Sequence, residues 1–171
     1  MVLFVILLAI GVYYFFKPSV PDIGVLGSTH IHADFKLYIN GNMVNLSKPE
    51  FQVRAKAVHV EEGIGDIIHV HATNMFLGYF MNTIGFPISD KCITIPGKKL
   101  CSKAGKTLKL YIRQPNMPWR LEKNIEFYTF HDLDKLLLTY GDDSEEQIQK
   151  QLSTVTDLAW TQSGMNESME K

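Results

Sequence analysis

Residues 31–39 alternate with a strict two-residue period. Ile31, Ala33, Phe35, Leu37 and Ile39 fall on one side, and His30, His32, Asp34, Lys36 and Tyr38 on the other. A helix would scatter that apolar set around its axis, so the stretch is committed to a strand whose apolar face lies on a core. His30 and His32 then project together from the opposite face. The same phase recurs twice. Ile68, Val70 and Ala72 alternate with Ile67, His69, His71 and Thr73, and Val58 and Val60 alternate with His59 and Glu61. Five of the six histidines thus fall within residues 30–71, four of them in two His-x-His pairs.

The run His59-Val60-Glu61-Glu62-Gly63-Ile64-Gly65-Asp66-Ile67-Ile68-His69 has the form of a hairpin with a glycine-bearing loop, which brings His59 beside His69 or His71. Two imidazoles on one face of a strand can aim at one point, and neighbouring strands can add more. His30, His32, His59, His69 and His71 are therefore candidate metal ligands. Imidazole suits zinc, copper, iron and nickel, and copper or zinc is the expected ion. Asp34, Glu61 and Glu62 are candidate carboxylate ligands or outer-sphere acceptors that fix the imidazole tautomers, and the outer-sphere role is expected for Asp34 and Glu61. A single His-x-His on a solvated strand arises by chance. The alternatives are a solvated, pH-responsive face or structural hydrogen bonding.

No nucleophile or general base stands out beyond Glu61, Glu62 and Asp34, and there is no Ser-His-Asp set or phosphate-cradling glycine loop. Metal handling, or an accessory role beside a membrane metalloenzyme, is expected rather than independent catalysis. An open coordination position would still allow metal-bound water to hydrolyse a substrate.

Residues 2–16, from Val2 to Phe16, carry no charge. At about 1.5 Å per residue the run covers somewhat less than the roughly 30 Å hydrocarbon layer, so a short membrane anchor is expected over residues 1–17. Tyr13 to Phe16 suits an interfacial belt, and the proline-spaced residues 18–27 a stiff linker. No basic region precedes the run and no small-x-small site follows it, which argues against a cleaved signal peptide. The formal charge of −1 and the lack of a basic stripe exclude a nucleic-acid footprint.

Cys92-Ile93-Thr94-Ile95-Pro96-Gly97-Lys98-Lys99-Leu100-Cys101 is symmetric about Pro96-Gly97. A two-residue hairpin sets Ile95 against Lys98 and Cys92 against Cys101, close enough for a cross-strand disulfide. Pro-Gly prefers turns that do not match hairpin twist, so a bulge could shift this register. A structural disulfide is expected, and with it an oxidising, extracytoplasmic location. Lys17, just past the apolar run, argues weakly the other way through the positive-inside rule. Thiol exchange is the alternative for Cys92 and Cys101, but eight residues separate them, whereas that chemistry uses Cys-x-x-Cys. A metal-free module that binds another membrane subunit is the third reading.

Asn40-Gly41 predicts a type I′ hairpin returning residues 35–39 into 43–46. Thr73 or Asn74 is placed to cap a helix carrying Met75, Phe76, Tyr79, Phe80 and Ile84 and stopping at Gly85. Strands are expected near 107–113, 125–130 and 134–140. Asp143 or Ser144 caps a last helix with a single stripe of Ile148, Leu152, Val155 and Ala159. The fold class is α+β: a mixed, mostly antiparallel sheet with one packed helix, similar to a β-grasp arrangement, plus a C-terminal amphipathic helix. The domain spans 28–141, the C-terminal helix 142–160, and a frayed tail 161–171.

His30-Ile31-His32-Ala33-Asp34-Phe35 with Tyr38-Ile39-Asn40-Gly41, then Ile68-His69-Val70-His71-Ala72 and Leu136-Leu137-Leu138-Thr139-Tyr140-Gly141, resembles a group of membrane-anchored proteins of ammonia-oxidising archaea, often labelled protein-disulfide-isomerase-like. The likeness runs from about Gly27 to Trp160. It implies an extracytoplasmic domain tethered to the cell membrane by a single N-terminal helix, in organisms where copper enzymes are prominent. The chain lacks the Cys-x-x-Cys that isomerase chemistry requires.

Overall fold

The computed structural model describes residue 6 and residues 20–103 and 105–163. The expected anchor over residues 1–17, the start of the linker and the tail beyond residue 163 lie outside them, Ile6 excepted. Among the described residues no helix is long and apolar enough to cross a membrane.

The chain is a mixed α+β structure dominated by a largely antiparallel sheet. Strands β1 (Ile31–Ile39), β2 (Asn42–Met43), β3 (Val58–Glu61), β4 (Ile64–Val70), β5 (Cys92–Ile95), β6 (Lys98–Cys101), β7 (Thr107–Arg113), β8 (Arg120–Glu122) and β9 (Asp134–Gly141) are joined by helices α1 (Leu77–Thr83), α2 (Glu145–Leu152) and α3 (Leu158–Gln162). The main sheet runs β3-β4-β1-β9-β7-β8, with β2 also on β1, while β5 and β6 form a separate ribbon. Among the described strands only β1 and β9 pair in parallel, with Phe35 opposite Leu136 and Leu37 opposite Leu138.

The period-two stripe does what its parity demands. Ala33, Phe35 and Leu37 of β1 are buried together with Ile68 and Val70 of β4, Leu110 and Ile112 of β7, and Leu136 and Leu138 of β9. Leu77, Phe80 and Met81 of α1 cover them, and Ile93 and Leu100 of the β5–β6 ribbon close the edge. Glu62 and Gly63 take positive φ of 55° and 70°, the backbone a tight type I′ turn requires, and join β3 to β4. Asn40 and Gly41 do the same after β1 at 49° and 76°. A Cβ at Gly65 would fall 2.3 Å from the Ser47 nitrogen, so only glycine lets residues 46–47 cross the hairpin that carries His59 and His69.

Several expectations are corrected. The return strand after Asn40-Gly41 is only Asn42–Met43, because β4, not 43–46, takes the long edge of β1. The first helix begins at Leu77 with no side-chain cap, Asn74 being left-handed at φ 57°. Residues 125–130 form no strand: Ile125, Tyr128 and Phe130 are buried against the core through an irregular stretch with a single bridge from Thr129 to Phe76. The last helix stops at Leu152 and resumes as α3, although its stripe stays on one side. Ser144 caps α2 in a full capping box with Gln147.

The second face of the sheet is not open. Tyr38 and Leu137 pack there with Ile148, Leu152 and Val155, and α3 lies against β1 and β4.

Candidate metal centre

Sheet register gathers the histidines. His32 stands opposite His69 in the β1–β4 pair, and His59 stands opposite His69 in the β3–β4 pair. One row across three strands therefore reads His59, His69, His32. His71 and His30 form a second row beside it. Ring centroids are 4.8 Å apart for His32–His69 and for His30–His71, 4.9 Å for His30–His32, and 5.1 Å for His59–His71. His59 stacks almost parallel on His69 at 5.7 Å. All five predicted histidines are thus in one contiguous cluster.

Within it, one ring nitrogen from each of His30, His32 and His69 lies within 4.8 Å of the other two. Bonds of about 2.0–2.1 Å to a tetrahedral ion draw such nitrogens to roughly 3.3 Å, a contraction that small side-chain rotations supply. His32 and His69 are buried, whereas His30 is exposed. Three nitrogens with one exposed flank leave room for a further ligand.

Burial also sets the protonation state. It pushes the His32, His69 and His71 imidazoles below the ordinary histidine value of 6.5, His69 to about 4. Desolvation is the largest cause for each. Neighbouring imidazoles press the same way, and Glu61 opposes them. These rings are neutral at pH 7, the form that donates a lone pair to a metal.

Glu61 straddles the row. A register shift between His59 and Glu61 re-aims its side chain, and its two oxygens approach His59 Nε2 at 3.3 Å and His69 Nδ1 at 3.5 Å. His59 Nδ1 lies 2.9 Å from the Ala55 carbonyl oxygen, which can only accept, so Nδ1 carries the proton. That orientation turns His59 Nε2 toward the Glu61 carboxylate. For His69, a proton on Nδ1 toward Glu61 leaves Nε2 free for a metal, the carboxylate–histidine–metal pattern.

Asp34, expected beside the histidines, is engaged elsewhere. It is buried, and its Oδ1 accepts hydrogen bonds from the Thr156 hydroxyl and from the backbone N–H groups of Leu158 and Ala159. A residue absent from the expectations is Asp132, whose carboxylate accepts the His32 backbone N–H at 3.0 Å and, with Glu61, opposes the lowering of the His32 ring by burial and His30. No local pattern announces it, since it arrives from a loop a hundred residues away. The sixth histidine, His131, faces buried Asp134 at 3.4 Å.

Cys92 and Cys101 are opposite one another and form a disulfide, with Ile95 opposite Lys98 and no bulge in the ribbon. Gly97, at φ 76°, absorbs the turn.

No family model matches the chain, and comparisons with curated proteins and with solved structures find no match.

Proposed function

We propose that this protein is a metal-binding domain in which His30, His32 and His69 hold one copper or zinc ion. Glu61 fixes the His69 ring, and His59 and His71 complete the surround. The observation that carries this reading is the approach of the three ring nitrogens within 4.8 Å, on a face where burial keeps imidazole neutral. Three converging nitrogens and an exposed flank suit capture and transfer of an ion, or support of a membrane metalloenzyme as an accessory subunit. The uncharged run over residues 2–16 supports a single-pass anchor in the cell membrane, and the disulfide supports an extracytoplasmic domain, as in the archaeal group that the sequence resembles. The parallel β1–β9 pair, flanked by antiparallel neighbours and crossed by α1, supports the β-grasp-like reading of the sheet.

Metal analysis of the purified full chain tests the assignment. One equivalent of copper or zinc is expected per chain, with loss of the ion in His32→Ala and His69→Ala and retention in His131→Ala. Absence of stoichiometric metal after dialysis against either ion, with the fold intact, overturns it.

A further inference from the structure

The face that carries His32 continues sideways onto β9 and β7. Asp34, Lys135 and Arg113 occupy one row there, since Asp34 is registered with Lys135 and Lys135 with Arg113. Such cross-strand neighbours share a face, about 5 Å apart. A cavity of about 360 Å³ opens over this row, with Gln114, Asn116 and Trp160 also on its wall. Leu133, which lines it too, donates its backbone N–H to the His32 carbonyl. The cavity therefore begins beside the histidine cluster but includes none of its imidazoles.

Four charged side chains line it, and three are already engaged. Asp34 is tied to Thr156, Leu158 and Ala159. Lys135, buried along its stem, is ion-paired with Asp157, whose own side chain is exposed. The Arg113 guanidinium makes no hydrogen bond or ion pair among the described residues; it lies over the Trp119 ring at 5.3 Å. This cation–π contact uses none of the guanidinium N–H donors, whose planar fork is the group that receives two oxygens of a carboxylate or phosphate. Its charge, next to that of Lys135, sits where the neighbouring acids are already satisfied. The volume lies in the range of small-ligand sites.

We propose that this cavity binds a small molecule through an oxyanion, a carboxylate or a phosphate, with Arg113 as the principal contact and Lys135 as the second cation. The exposed Asp157 carboxylate occupies Lys135 until a ligand oxygen replaces it. This site is independent of the metal reading.

The chain has two tryptophans, Trp119 beneath Arg113 and Trp160 on the cavity wall, so intrinsic fluorescence reports on it directly. The full chain is titrated with inorganic phosphate and with benzoate at constant ionic strength set by chloride, in buffer cleared of metal over a chelating resin. A saturable change with phosphate identifies a phosphate-type ligand, and one with benzoate alone a carboxylate. In either case Arg113→Gln weakens binding at least tenfold, and His69→Ala leaves it unchanged while abolishing metal uptake. On the unsubstituted chain, the Arg113 Nε–H resonance shifts along the same saturation curve. A response no different from chloride for both probes, or an Arg113 resonance that does not move, overturns the proposal.

Discussion

Asp34 Oδ1 accepts the backbone N–H of Leu158 at 2.9 Å, so an acid in the middle of β1 holds the start of α3 against the sheet. Three donors converge on that one oxygen. Burial raises the carboxyl above its ordinary value, and these bonds counter the shift. Asp34→Ala leaves the donors without their partner and is expected to cost about 3 kcal/mol. Chemical denaturation measures the loss. Metal content should stay near that of the unsubstituted chain, because the Asp34 oxygen is spent on the C-terminal segment. A metal-free but fully stable variant would contradict that division of roles.

Glu61→Gln should separate orientation from ligation. The amide keeps the shape of the side chain but loses the charge that faces His59 Nε2 and His69 Nδ1. Metal affinity is expected to fall about 10–100-fold, the usual cost of losing an outer-sphere carboxylate. Competition with a chromophoric chelator reads it. An unchanged affinity would remove Glu61 from the site.

Acid should weaken the metal-free protein. His69 titrates at about 4 when folded against 6.5 for the free side chain, and His32 and His71 are also lowered. Between those limits the unfolded chain binds more protons than the native one, so stability rises with pH. The full contribution is present above 6.5 and is lost progressively as pH falls toward 4. Denaturant midpoints collected across that window should drop toward acid, with a shallower slope in His69→Phe. Metal release should follow the same direction, since protons compete for the same lone pairs.

Removing the disulfide should affect the ribbon and spare the histidines. Cys92 and Cys101 are nine positions apart, and closing so short a loop contributes on the order of 2.5 kcal/mol through the unfolded chain. The double variant Cys92→Ser and Cys101→Ser should lose about that much in denaturation and retain its metal. Loss of metal in that variant would link the ribbon to the cluster in a way the fold does not provide.

The histidine rows were legible because a one-residue slip in β1 or β4 would turn Phe35 or Ile68 outward, so hydrophobic parity fixes the phase of every imidazole. Pro96-Gly97 was legible from its symmetry alone. The covering of the second face was not. Asp34, Lys36 and Tyr38 occupy the polar phase of the stripe, yet each is buried, with Lys36 paired to Asp66 at 2.7 Å and Asp34 bonded to α3. The stripe Ile148, Leu152, Val155 and Ala159 likewise reads as one helix. The chain leaves the helix at Ser153 to Asp157, where Thr156 binds Asp34 and Asp157 binds Lys135. A local pattern carries no record of such distant partners.

The parallel pairing of β1 with β9 has a consequence for synthesis. One long edge of β1 waits for a strand that begins about a hundred residues downstream, so no truncated product ending before Asp134 can complete the sheet. A nascent polypeptide holds β1 half-paired until residues 134–141 have been made. Its maturation is therefore late, slow and vulnerable to self-association while the ribosome is still at work.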